Sequence, residues 1–158
     1  MNRFLSFLAC ATLALALSVG AAVAMGSSSD ANPAAEANPD YAQGEKLIKA
    51  KDYKGAIPLL EKVAASEPKN ADAFSYLGYA WRHLGDNDKA MAQYQKALAI
   101  NPDHRGANEY LGQLHLILGD LPKAEERLAK LDQLCTFGCE EYSELKKAVA
   151  AYKAKKSS

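Results

Sequence analysis

Residues 71–102 read ADAFSYLGYAWRHLGDNDKAMAQYQKALAINP. Leu77 and Trp81 fall on one side of Gly85-Asp86, and Ala90, Tyr94, Ala97 and Leu98 on the other, each set at helical spacing. Two amphipathic helices facing one another across a glycine turn account for that arrangement. Pro102 then stops the second helix and begins a connection.

Outward from this stretch the pattern returns at intervals of 34 residues, through Gly44, Gly78 and Gly112, Ala56, Ala90 and Ala124, Leu60, Tyr94 and Leu128, and Val63, Ala97 and Leu131. Pro68 and Pro102 keep the same interval. The glycines and alanines suit places where antiparallel helices approach closely, while Leu77, Trp81, Tyr94 and Leu98 fill the space between helices. Gly85-Asp86 and Gly119-Asp120 make the turn inside a unit, with Asp86 and Asp120 as helix N-caps. The expected helices are 40–50 and 53–65, then 71–84 and 87–99, then 105–118 and 121–134. Pro58 and Pro122 are expected in or near the first turns of their helices, where proline is best tolerated.

Several columns coinciding at one period resemble the tetratricopeptide repeat, a helix–turn–helix unit of about 34 residues. The resemblance covers roughly residues 37–155 and implies an all-α fold, an α-solenoid of three tetratricopeptide repeats at 37–70, 71–104 and 105–138. The outer units depart from the pattern. His115 stands where the second unit has Trp81, Thr136 replaces the closing proline, and Asp40 and Gln43 occupy the places of Phe74 and Leu77. Terminal repeats are commonly atypical because their outer faces meet solvent. The final stretch, 140–155, aligns Tyr142, Leu145, Val149 and Tyr152 in one stripe, with Glu141, Glu144, Lys146 and Lys147 mostly off it. It reads as a capping helix that closes the domain spanning 39–155.

In this family the first helices of successive units line a groove that receives an extended or helical peptide. Matching positions put Tyr41, Glu45 and Lys49 there, then Ser75, Tyr79, Arg82 and His83, then Glu109 and Gln113. Tyr79 and Arg82 are the favoured anchors, tyrosine and arginine being enriched in binding hot spots. An ordinary solvated helix face stays open as the alternative. The basic clamp with which some family members hold a terminal carboxylate is not reproduced, because Glu45 and Glu109 are mixed among the cations.

Cys135 and Cys139 read first as an intramolecular disulfide that pins the capping helix, Gly138 allowing the bend. The alternative is a thiol- or copper(I)-handling pair. That spacing also occurs in periplasmic copper-delivery proteins, which have a thioredoxin-like fold and a partner histidine; here His115 is 20 residues away. His115 falls on a core-facing column, and His83 near a helix C-terminus where it favours the dipole. His83, His104 and His115 make no metal-ligand spacing, and no nucleophile or paired-carboxylate arrangement stands out. The reading is of a chain with no enzymatic activity and no cofactor or metal.

The N-terminus carries Arg3 and then an uncharged stretch from Phe4 to Val23, with small residues at Ala22-Val23-Ala24. Residues 1–24 read as a cleaved secretory signal, with an uncleaved anchor as the alternative. The cysteine at Cys10 lacks the context of a lipoprotein site. Residues 25–38, rich in Ser, Ala, Asn and Pro, read as a flexible linker. The expectation is a periplasmic or secreted protein that inserts in no membrane after cleavage.

The 158 residues carry 19 basic and 19 acidic side chains, and removal of Arg3 with the signal leaves 18 against 19, a net charge of −1. No basic tract stands out, which argues against a nucleic-acid partner. The combined reading is an exported adaptor binding a protein or peptide segment, with self-association through its tyrosine-rich surface also open.

Overall fold

A computed structural model describes residues 38–157. The expected signal at 1–24 and the expected linker, apart from Asn38, lie outside the described residues. Among the described residues the chain is entirely helical: α1 (Pro39–Lys49), α2 (Tyr53–Ser66), α3 (Ala71–His83), α4 (Asn87–Ile100), α5 (Arg105–Ile117), α6 (Leu121–Leu134) and α7 (Glu140–Lys156). These bounds lie within one residue of the ranges read from the sequence. None of these helices is long and apolar enough to cross a membrane.

Each helix begins at a side-chain cap, which satisfies amides that a first turn would otherwise leave unpaired. Asp52, Asp86 and Asp120 accept from the amides of Gly55, Lys89 and Lys123 at 3.0, 3.1 and 3.2 Å. Asn38 caps α1 through the amides of Asp40 and Tyr41, and its Nδ2 donates to Glu67. That residue therefore belongs to the folded domain and not to the linker that was expected to include it. Pro122 is the second residue of α6, in its first turn. Pro58 is the sixth residue of α2, a turn later, and without an N–H it leaves the Lys54 carbonyl short of its usual helical donor.

Helices α1, α3, α5 and α7 form an inner row, each packed on the next, with α2, α4 and α6 outside. The glycine column makes this possible. A Cβ on Gly44 would stand 2.9 Å from Leu60 Cδ2, and one on Gly78 would stand 2.5 Å from Tyr94 Cε1. In the third unit the partner changes: a Cβ on Gly112 would stand 2.5 Å from Leu145 Cδ2, so the capping helix takes the contact. Leu145 is fully buried with Leu131 and Ala124, while Leu128 is only half-buried. The core thus passes from unit to unit, from Tyr41, Leu60 and Leu77, through Tyr94 and Leu114, to Leu131, Leu145 and Val149. His115 is buried as its column implies, and burial lowers its pKa, holding the ring neutral.

The turn inside each unit needs a left-handed residue. Gly85 and Gly119 supply it at φ 85° and 81°, and Lys51 holds the same place in the first unit at φ 60°. A side chain in that region is strained. Lys51→Gly is expected to stabilise the fold by about 0.5–1 kcal/mol, glycine's extra unfolded-state entropy offsetting part of the relief. Urea denaturation checks this, and a lower midpoint for the variant would contradict it.

Candidate functional site

The inner row curves around two adjoining cavities of about 220 and 370 Å³, at or near the small end of ligand-binding clefts. The first takes Tyr41, Glu45 and Ser75 from the sequence-derived set, and the second takes Tyr79, Arg82, His83, Glu109 and Gln113. Lys49 joins neither; it is 70% exposed and pairs with Glu45 at 3.0 Å. The cavities share Tyr110 and Glu141 and so form one continuous concave face.

Tyr41, Ser75 and Glu109 occupy one column at the 34-residue interval, and all three are buried. For Tyr41 this is packing, since it belongs to the first core cluster and tilts against Tyr76 with ring centres 6.0 Å apart. For Glu109 it is costly. Burial, followed by the charge of Glu141, pushes its carboxyl up to about 8, with Glu144 and Glu140 adding to the rise and Arg82 only partly countering it. Gln113 Nε2 donates to its Oε1 at 2.7 Å.

Tyr79 is the centre of an aromatic cluster. Its ring lies 4.7 Å from Tyr110, 4.4 Å from His83 and 6.0 Å from Tyr53. Arg82 places its guanidinium 5.3 Å from the Tyr79 ring centre and 5.9 Å from that of Tyr110, within cation–π range. Burial raises the Tyr79 hydroxyl, and it raises those of Tyr76 and Tyr110 well above the usual phenol range. Burial, with Arg82 and Lys51 adding, lowers His83, so it is neutral at pH 7.

Several lining residues were not in the sequence-derived set. Tyr76 and Tyr110 are equivalent positions, and the same interval continued once more reaches Glu144 on α7. Tyr76 donates to Glu45 at 3.0 Å. His104, equivalent to the cap Asn70, accepts the Ala107 amide at Nδ1 at 3.1 Å. A backbone amide can only donate, so Nδ1 carries no hydrogen and Nε2–H donates to Asp72 at 3.0 Å. That bond ties α3 to the start of α5. Following the columns through the capping helix would have found Glu144, and following the cap column would have found His104.

Cys135 and Cys139 flank the turn before α7, with Cα atoms 5.5 Å and sulfurs 2.10 Å apart. Cys139 Sγ also accepts the Tyr142 amide at 3.4 Å, capping the helix. Among the described residues no three His, Cys, Asp or Glu side chains group as they would around a metal ion.

Two tetratricopeptide repeat models match the chain, over residues 41–105 and 82–149, and together they span 41–149. Tetratricopeptide repeat protein 1 of Schizosaccharomyces pombe is 36% identical over 91 residues, 54% of this chain but 9% of that protein. Among solved structures, the first tetratricopeptide domain of Spaghetti (RPAP3) bound to the HSP90 peptide SRMEEVD matches at a TM-score of 0.61 and 24% identity, over 69% of this chain and 86% of that one. The Yersinia enterocolitica type III secretion chaperone SycD, in complex with a peptide of the translocator YopD, matches at 0.64 and 18% identity, over 80% and 98%. At these identities the two structures establish a shared fold.

The raised carboxyl of Glu109 has a stability consequence. In the unfolded chain it loses its proton near 4.5, whereas the folded protein holds it to about 8. Stability therefore falls as pH rises between those values. Glu109→Gln should flatten that decline and stabilise the protein at pH 8 by about 1–3 kcal/mol. Urea denaturation at pH 5 and pH 8 checks it; equal pH dependence in both proteins would contradict the assignment.

Proposed function

Because the chain belongs to the tetratricopeptide repeat family, we propose that it is an exported adaptor whose concave face binds a segment of another protein, with no chemistry of its own. The observation that carries the reading is the continuous concave face, where tyrosines, Arg82 and the buried Glu109 converge from α3 and α5. A buried acid held above neutrality weakens the fold, and such groups concentrate at functional sites. The helix pairs hold these side chains in place before a partner arrives, so little ordering entropy is lost on binding. The peptide complexes of the Spaghetti and SycD relatives support the same use of this fold.

Export rests on the signal-like character of residues 1–24, and we read Cys135 and Cys139 as a disulfide that fastens α7 to the end of α6. The competing reading makes the two cysteines a thiol or copper centre. One capture experiment separates the two, using wild-type protein, Tyr79→Ala/Arg82→Ala and Cys135→Ser/Cys139→Ser as baits in an extract of the native source. A specific partner should be lost by about tenfold or more with the first variant, as expected for hot-spot truncation, and kept by the second. Loss with the cysteine variant and retention with the groove variant would reverse the assignment.

A further inference from the structure

The C-terminal half of the concave face carries an unbalanced charge. Glu140 and Glu141 lie in the first turn of α7, where the helix dipole favours carboxylates, with Glu144 one turn on. Glu109 meets them from α5. The only lysine or arginine lining this cavity is Arg82, which lies against the faces of Tyr79 and Tyr110. Glu144 pairs with Lys147 at 3.0 Å, but that pair is exposed; among the described residues Glu140 and Glu141 make no ion pair.

A second feature lies in the core next to the same cavity, where Tyr94 is fully buried against Tyr110 without lining the cavity itself. Arg82 Nε is buried without a hydrogen-bond partner, and the polar neighbour of the buried Tyr94 hydroxyl is the Arg82 side chain itself. The neighbours that act on that hydroxyl, Arg82, Tyr110 and Tyr79, all line this cavity. A buried donor in that condition is costly until an acceptor reaches it. An extended peptide supplies what both features lack: a cationic side chain for the carboxylates and a main-chain carbonyl for Arg82, which lines the cavity.

We propose that this cavity receives a lysine or arginine side chain of an extended peptide segment, its cation held by Glu109, Glu140, Glu141 and Glu144 beside the Tyr79 and Tyr110 rings. The proposal rests on the reading of the concave face as the partner-binding surface and adds the partner's charge. The net charge it implies for the partner segment is opposite to that of the Spaghetti peptide SRMEEVD, which carries three acidic residues and one arginine.

The cation would also draw the proton from Glu109. The groups facing that carboxyl are Tyr79 and Arg82 on α3, Tyr110 and Gln113 on its own helix, and Glu140, Glu141 and Glu144 on α7. On α4, Tyr94 lies below them, and on α6, Arg127 turns away to donate to Asn108 Oδ1 at 3.3 Å. With one cation among these groups, the unliganded site holds its proton to about 8. Binding that prefers the carboxylate therefore strengthens as pH rises toward that value.

The test uses three labelled pools of N-acetylated nonapeptides, random except at a central lysine, acetyl-lysine or glutamate, with binding read by fluorescence polarisation. The lysine pool should bind at least about tenfold tighter than the other two, less so in high salt. Glu141→Gln/Glu144→Gln, altering two surface acids, should remove most of that preference, and affinity should rise between pH 6 and pH 8. Equal binding of the acetyl-lysine pool, or tighter binding of the glutamate pool, overturns the proposal while leaving the groove reading in place. Competition by spermidine or calcium alone, with no peptide preference, overturns it in favour of a simple cation site. If no pool binds, both the proposal and the groove reading fall.

Discussion

The rest of the structure depends on the close contact between a glycine on each of α1, α3 and α5 and one large side chain packed across it. Gly44 takes Leu60, Gly78 takes Tyr94 and Gly112 takes Leu145. A methyl group at any of the three would collide with the core residue opposite. The first two contacts seat α1 and α3 closely on the outer helices of their own units, α2 and α4. The third contact is different in kind, because the large residue comes from α7 and not from the unit's own second helix. The capping helix is thereby seated as a fourth inner helix, and its first-turn acids complete the second cavity.

Much of this was legible from the sequence because repetition multiplies weak signals. One glycine or one alanine says little, but Gly44, Gly78 and Gly112 aligned with Ala56, Ala90 and Ala124 leave few other arrangements. On the concave face Ser75, Tyr79, His83, Glu109 and Gln113 could be located because each lies one interval from another member of the set, whereas Arg82, equivalent to Ile48 and Leu116, has no such counterpart. What escaped the sequence is where the repetition breaks. Lys51 holds a left-handed turn position that its neighbours give to glycine, and its identity does not reveal that shape. Lys49 turns to Glu45 and solvent, Leu145 replaces Leu128 in the core, and His104 substitutes for a capping asparagine. Glu141 and Glu144 read as the solvent side of a helix because the stripe of α7 identifies its buried face only. Which of the remaining faces borders the groove depends on how α7 docks.

The electrostatics of the concave face run against stability. Glu109 sits where Tyr41 and Ser75 sit in the earlier units, a buried column better suited to an apolar or small side chain. Arg82 lies near enough to temper its desolvation but is shared with two tyrosine rings and outnumbered by the carboxylates of α7. A fold selected for rigidity alone would fill that column differently. The arrangement makes sense if a partner completes the site, since a ligand that satisfies a buried charge turns a local cost into specific affinity. The outer helices carry no comparable convergence of buried charge and aromatic faces.

Site-specific photo-cross-linking tests the central claim most directly. A benzophenone amino acid at Gln113, in the groove, is compared with one at Gln95, exposed on outer helix α4. If the concave face is the binding surface, irradiation in the native extract gives a discrete protein adduct from position 113 and none from position 95. A discrete adduct from position 95 alone would contradict the account and move the binding surface to the outer face of the solenoid.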